Sequence, residues 1–398
     1  MLANKYQDYM FGLLKKVIDE IGPRPACSEA EKKLGRLLVA EWKPVCDRVD
    51  VEPFTCSPTA WIGSSYILAL LYFATVILYW FLPPLALAIA AINCSIGFLE
   101  VFRYREIVDF LFPRKQGENV IGAVRPKGEP AQRFIVGAHM DSAYESTLFL
   151  YFKSAAFLLI AIAILALVIA FGACLAKTVA YFNGFSDAAA LTGVGIAMIS
   201  LSPMMGSLLF LNSWKPVPGA IDNMAGVSVV AGLGKYLGEA ERSGDWFPER
   251  TEVVLLATSS EEAGCRGAKR YVRRHLKEMK AIRTYFLNID TIKDEKFLTV
   301  WKVEPYNGAR HDHELVRMAQ EVAASQNWAI PVSQLAVPYG TDAAPFSLSG
   351  ISAVYLGVPP HLYPNYHTRH DTYEHVRPES LSAILQLVIE MIQRIDKS

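Results

Sequence analysis

The sequence predicts an α/β protein with a mostly parallel sheet, interrupted by two apolar helical hairpins. Three observations carry that prediction. Short apolar runs, Phe134–Gly137, Glu252–Thr258 and Tyr285–Ile289, end on acidic or imidazole side chains and alternate with longer amphipathic segments. Four uncharged stretches interrupt this alternation. The 398 residues carry 39 Lys+Arg against 39 Asp+Glu, with 52% hydrophobic and 20% charged residues, so the chain is not disordered and has no basic excess for binding nucleic-acid phosphates. Its positive mean hydropathy argues against a purely soluble enzyme.

At the start, Tyr9, Leu13, Leu14, Val17, Ile18 and Ile21 are spaced as one apolar helix face, Gly22-Pro23 breaks that helix, and a second amphipathic helix covers about Ser28 to Trp42. Trp61 to Leu82 then gives 22 uncharged, mostly apolar residues with Trp61, Tyr79 and Trp80 near its ends. Crossing a bilayer takes about 20 residues, and aromatic side chains favour its two interfaces. After Pro83-Pro84, the 15 residues from Leu85 to Leu99 form a second arm that extends through Phe102 if Glu100 snorkels out to the interface. Ser154 to Ala176 and Ala188 to Trp214, separated by Lys177 to Asp187, make a second hairpin. The first run starts too far into the chain to be a cleaved secretory signal.

The expected organisation is a discontinuous soluble domain of residues 1–56, 103–147 and 215–398, with transmembrane hairpins at 57–102 and 148–214. Each hairpin returns the chain to the side it left. Arg103, Arg105, Arg114, Lys115, Lys153 and Lys215 flank the spans on that side, and Lys177 stands on the other, a bias that places the soluble domain in the cytoplasm. The six cysteines, at 27, 46, 56, 94, 174 and 265, lack the spacing of a thiolate metal site, and a chain of this size needs no disulfide framework.

In the soluble pieces, Asn119–Val124 and Phe134–Gly137 read as strands, the latter running into Ala138-His139-Met140-Asp141. The strand Glu252–Thr258 delivers Ser259-Ser260-Glu261-Glu262, and Tyr285–Ile289 delivers Asp290. Helical segments fall at Val227–Ala240, Gly267–Met279, Asp312–Gln326 and Glu379–Ile395. In an open α/β sheet, ligands bind in the crevice at the carboxyl ends of the strands. Asp222 reads equally well as a helix N-cap. Glu261-Glu262 is more telling, because adjacent like charges after an apolar strand are costly unless a cation or solvent compensates them, and a divalent metal does so.

The ordered set Gly22-Pro23-Arg24-Pro25, His139-x-Asp141, Asp222-Asn223-x-x-Gly226, Glu261-Glu262-x-Gly264, Asn288-Ile289-Asp290 and His367-Thr368-x-x-Asp371-Thr372 resembles the M28 family of zinc metallopeptidases, the aminopeptidase group, across nearly all of the non-membrane chain. The resemblance implies a mixed, mostly parallel sheet sandwiched by helices, with two zinc ions at the strand ends. It also implies that His139 and Asp290 bind one zinc, that Glu262 and His367 bind the other, and that Asp222 bridges them. Asp141 would orient the His139 imidazole and Glu261 would be the general base. The family pattern puts the ligand at the His before Thr, hence His367 rather than His370. The histidines at 275, 311, 313, 361 and 375 are left as surface or structural residues.

His139 and Asp222 lie 83 residues apart, where relatives have a modest loop. Removing residues 148–213 takes out 66 and leaves 17, so the second hairpin reads as an insertion between two metal ligands, one that would hold the site near the bilayer. Tyr339-Gly340-Thr341-Asp342-Ala343-Ala344-Pro345-Phe346 resembles a family segment in which a His stands where this chain has Ala343. Tyr339 could offer its hydroxyl to an oxyanion or simply pack.

The expected function is a membrane-anchored aminopeptidase acting on peptides. Alternatives are an amidohydrolase for hydrophobic N-acyl or lipid-like amides that enter between the hairpins, a single-zinc enzyme like the glutaminyl cyclases, and an inactive binding scaffold. A transport role finds no support, because the spans carry no charge to mark an ion path.

Overall fold

The computed structural model describes residues 2–185, 188–334 and 340–398, which form two compact units. One comprises Met1–Pro58, Arg114–Glu145 and Lys215–Ser398; the other comprises Thr59–Pro113 and Ser146–Trp214.

In the first unit, α1 (Gln7–Glu20) and α2 (Glu29–Trp42) precede the edge strand β1 (Arg48–Cys56). The Ser28 hydroxyl caps α2 by accepting the Glu31 N–H, as the Ser ahead of the amphipathic run predicts. Strand β1 was not expected: Phe54 and Cys56 are its buried residues, so no apolar run announces it. In the second unit, α3 (Ala60–Phe81) and α4 (Pro83–Ile96, continued by a π-turn to Phe102) form the first hairpin. The chain then makes β2 (Lys115–Val124), β3 (Gln132–His139) and β4 (Tyr144–Ser146). After these come the short α5 (Thr147–Phe152) and the second pair of apolar helices, α6 (Ala155–Phe182) and α7 (Ala189–Ser207). The rest of the chain builds β5 (Asn212–Pro216), α8 (Ala225–Ser243), β6 (Thr251–Thr258), α9 (Arg266–Ala281) and β7 (Arg283–Asp290). It ends with β8 (Thr299–Glu304), β9 (Ala309–Arg310), α10 (His313–Ser325), β10 (Val332–Gln334), α11 (Ala343–Leu348), β11 (Ser352–Gly357) and α12 (Pro378–Asp396).

The nine-stranded sheet has the order β1-β2-β6-β3-β7-β11-β8-β10, with β9 on β8, while β4 and β5 pair as a separate ribbon. Strands β6, β3, β7 and β11 run parallel at the centre; β1 on β2, β2 on β6 and β11 on β8 are antiparallel. The sheet is therefore mixed with a parallel middle, and the central strands are buried almost throughout. Register pairs His139 with Thr258 and Gly137 with Asn288, so the carboxyl ends of β6, β3 and β7 finish together.

The second unit is a bundle of four helices, each long and apolar enough to cross a membrane. Its interior is an apolar cluster from Leu68 to Leu208, in which the Tyr72 and Tyr79 hydroxyls donate to the carbonyls of Met198 and Leu191. Leu70, Ile77, Leu158 and Val168 point outward, 60–63% exposed, as side chains facing lipid would. Two local expectations change here. Lys177 does not sit in a connecting loop, because α6 runs on to Phe182; its ammonium lies 4.7 Å from the Tyr79 ring centre and 5.1 Å from that of Trp80. Nor does Glu100 snorkel: it is buried and accepts the Val108 N–H at 3.2 Å.

Candidate metal centre

Each expected donor is delivered by a distinct element. His139 is the last residue of β3, Asp290 the last of β7, and Glu261-Glu262 follow β6 by two residues. Asp222 lies in the turn that leads into α8, and the Asp222–Asn223 peptide is cis. This turn is pinned to the sheet, since Asn223 Nδ2 donates to the Ile289 carbonyl at 2.9 Å and Asn223 Oδ1 accepts the Gly226 N–H at 3.2 Å. A Cβ at Gly226 would meet Asn223 Oδ1 at 2.3 Å and the Ile289 carbonyl at 2.8 Å, which explains the glycine three residues after Asn223. His367 comes from a loop, at φ 50°, with its ring stacked on Tyr366 at 3.8 Å between centres.

Asp222 stands between the two imidazoles. Its Oδ1 is 3.1 Å from His139 Nε2 and its Oδ2 is 3.3 Å from His367 Nε2. Asp290 Oδ1 lies 3.3 Å from His139 Nε2, and Glu262 Oε2 lies 3.1 Å from His367 Nε2. The donors thus form two half-sets joined by one carboxylate. His139 Nε2 is buried yet donates to neither neighbouring carboxylate, and Glu262 Oε1 is also buried without a hydrogen-bond partner among the described residues. A tetrahedral zinc with bonds of about 2.0–2.2 Å has donor–donor edges of about 3.3–3.6 Å. The observed separations and the oxygen and nitrogen donors fit that ion.

Four carboxylates converge on two imidazoles, and withdrawal from water pushes Glu261 well above the usual carboxylate range and Glu262 up to about 7. Burial also raises Asp290, with the neighbouring Asp222 charge adding to the effect. A divalent cation relieves both the desolvation and the like-charge crowding.

The supporting shell is built from main-chain hydrogen bonds. Asp141 accepts the N–H groups of Glu261 and Glu262, each at 3.0 Å, on its two carboxylate oxygens. The His139 ring is therefore oriented by the main-chain carbonyl of Asp141, 3.0 Å from Nδ1, and its carboxylate lies farther away at 3.5 Å. Asp371 accepts the N–H groups of Ile221 and Asp222 at 2.7 and 3.2 Å, holding the bridging residue from behind. Arg24 is fully buried and donates to the carbonyls of Gly22, Met140, Pro218 and Gly219, tying the His139 and Asp222 loops together.

Two side chains beside Glu261 had no role in the sequence reading. The Cys265 thiol donates to Glu261 Oε1 at 3.4 Å, and the buried Asp342, whose Oδ2 accepts the Thr258 hydroxyl, keeps Oδ1 without a partner among the described residues. The Thr341-Asp342 pair was the available signal for the second. His370 is exposed, and Tyr339 lies outside the described residues. His275 and His311 are structural in their contacts, on Glu52 at 2.7 Å and Glu304 at 3.2 Å.

Oxygen and nitrogen donors gathered at the parallel strand ends of an α/β sheet make a site suited to zinc. Residues 207–392 match the model of peptidase family M28, which supports a zinc metallopeptidase hydrolase. Comparison with curated sequences returns no match. Among solved structures, the fold is similar to an aminopeptidase from Aneurinibacillus sp. strain AM-1, with a TM-score of 0.58, 15% identity and coverage of 98% of this chain and 93% of that one. It is similar to a zinc aminopeptidase from Bacillus subtilis, with a TM-score of 0.56, 14% identity and coverage of 98% and 95%. It is also similar to a glutaminyl cyclase from an Acidobacteriales bacterium, with a TM-score of 0.57, 14% identity and coverage of 98% and 94%.

Proposed function

We propose that the chain is a membrane-anchored di-zinc peptidase that removes N-terminal aminoacyl groups from peptides. The observation that carries the proposal is the position of Asp222, with one oxygen 3.1 Å from the His139 nitrogen and the other 3.3 Å from the His367 nitrogen. A carboxylate placed this way could hold two cations, for which Asp290 would complete the His139 half and Glu262 the His367 half. When bound, zinc supplies Lewis acidity toward a carbonyl oxygen and toward water.

The chain's own residues supply the rest. Glu261 is the general base: its raised proton affinity suits it to take a proton from water and return it to the departing amine. Asp141 fixes where Glu261 and Glu262 stand by holding both of their N–H groups. The four apolar helices anchor the chain, and the flanking Arg103, Arg105, Arg114, Lys115, Lys153 and Lys215 orient the soluble unit to the cytoplasm.

A cyclase-like reading has the similar glutaminyl cyclase fold in its favour, and metal count separates the two. Zinc is measured on the detergent-purified wild type beside His139→Ala, with hydrolysis of aminoacyl substrates followed in parallel. About two zinc ions per chain, lost in part by the variant along with activity, supports the peptidase. One zinc per wild-type chain moves the assignment to cyclase-like chemistry, and none after reconstitution with zinc leaves a binding scaffold.

A further inference from the structure

The first unit holds a second reactive arrangement, behind the Glu261 loop. Cys27, in the loop between α1 and α2, and Cys56, the last residue of β1, are 7% and 2% exposed, with their sulfurs 3.5 Å apart. They pack with Phe54 in a small buried cluster. Cys27 Sγ lies 3.3 Å from the Ser260 hydroxyl, and Ser260 immediately precedes Glu261. A single buried carboxylate links the backbones involved: Glu31 accepts the Cys27 N–H at 2.7 Å on one oxygen and the Ser260 N–H at 3.2 Å on the other.

We propose that Cys27 and Cys56 are a redox pair that closes to a disulfide and, through Ser260 and Glu31, displaces the general base Glu261. Closure brings the sulfurs from 3.5 Å to a bond of about 2.05 Å. The share of that movement taken by Cys27 reaches Ser260 by two routes, the thiol–hydroxyl contact and the Glu31 carboxylate. The pair is asymmetric in the way such couples need. The contact with Cys27 and the nearby guanidinium groups of Arg266 and Arg270 hold Cys56 below the ordinary thiol value, making it the attacking sulfur.

The oxidant is a small hydroperoxide, which reaches sulfurs of residues only 7% and 2% exposed more readily than a bulky disulfide does. The Cys56 thiolate attacks one peroxide oxygen and the O–O bond breaks, giving a sulfenic acid and hydroxide. The Cys27 sulfur then attacks that sulfur, the S–S bond forms, the S–O bond breaks, and the hydroxyl leaves with a proton as water. The two thiols lose two electrons and two protons, and hydrogen peroxide becomes two waters. A dithiol reductant reverses the bond.

The test uses full-length protein in detergent, reduced, freed of reductant and treated with equimolar hydrogen peroxide, then unfolded, alkylated and mapped by mass spectrometry. The expected result is a peptide pair joined through Cys27 and Cys56, lighter by two hydrogens and reversed by dithiothreitol, with Cys46, Cys94 and Cys174 still alkylated. Recovery of Cys27 and Cys56 as separate alkylated or oxidised residues, or joined to other cysteines, overturns the pair. This mapping needs no variant. In Cys27→Ser, a dimedone adduct at Cys56 is expected in place of the link, and its absence would overturn the assignment of the attacking sulfur.

The effect on turnover rests on the peptidase reading. A loss of about tenfold or more on cross-linking, regained on reduction and absent in Cys27→Ser, supports the coupling to Glu261. Unchanged turnover in fully cross-linked protein overturns that coupling. Absence of turnover in the reduced protein overturns the peptidase reading instead, since mass alone judges the link.

Discussion

Arg24 and Gly219 fix one another: the guanidinium Nη2 donates to the Gly219 carbonyl at 2.9 Å, and Gly219, at φ 65°, has no room for a side chain. A Cβ there would meet Ser142 Cβ at 2.5 Å and the Asp222 carbonyl at 2.8 Å. The contact joins the Gly22–Arg24 turn to the segment that leads into Asp222.

Replacing Arg24 with Met would leave buried carbonyls of Met140, Pro218 and Gly219 without their donor. The expected cost is about 3 kcal/mol or more in stability, together with weaker zinc retention. Thermal unfolding with and without added zinc checks it, and an unchanged midpoint would refute the tie.

Glu261→Gln should keep the zinc content of the wild type while turnover falls by about 10²–10⁴-fold. Metal analysis and steady-state kinetics on the same preparation decide it. Full turnover in this variant would remove Glu261 from the mechanism.

For Asp141→Asn, one side-chain oxygen remains to receive two N–H groups that now have one each. Zinc affinity or turnover should fall about 10–100-fold while the fold survives. Competition with a chromogenic chelator reads the affinity directly.

His275 sits on Glu52 at 2.7 Å, and that hydrogen bond raises the imidazole above its ordinary value, with burial opposing. The folded state therefore binds this proton more tightly than the unfolded chain does. The stabilisation is complete below about pH 6.5 and fades as pH rises through the folded value. For this partly exposed pair, with side chains 15% and 16% accessible, it amounts to no more than about 1 kcal/mol. His275→Gln should lower the unfolding midpoint at pH 6 and leave it nearly unchanged at pH 9.5; an equal shift at both values would exclude the proton as the cause.

With Leu70, Ile77, Leu158 and Val168 facing outward, the chain should stay with membranes through an alkaline carbonate wash and require detergent for release. Appearance in the aqueous wash would argue against anchoring.

The parallel core and the candidate site positions His139, Glu261, Glu262 and Asp290 were legible in the sequence for one physical reason. Buried parallel strands are continuous apolar runs, and the first polar residues past their ends stand out. Asp222 was ambiguous, since an acid before a helix suits a cap as well as a metal. The pattern of Gly22-Pro23-Arg24-Pro25 was visible, but the task of Arg24 was not, because its carbonyl partners at Met140, Pro218 and Gly219 lie 116 to 195 residues away. Cys265 and Asp342 meet Glu261 through packing that no local spacing encodes. The length of α6 was misjudged because Lys177 looked like a boundary, yet its charge lies over aromatic rings.

The final donor, His367, lies far beyond the last apolar helix, α7, in the order of synthesis. A ribosome makes the chain from its amino end, so all four hydrophobic helices have emerged before the residue that completes the second half-set exists. A nascent or truncated product that ends before His367 therefore lacks one of the proposed donors, and on the proposed reading hydrolytic competence arrives only after all four apolar helices have been made.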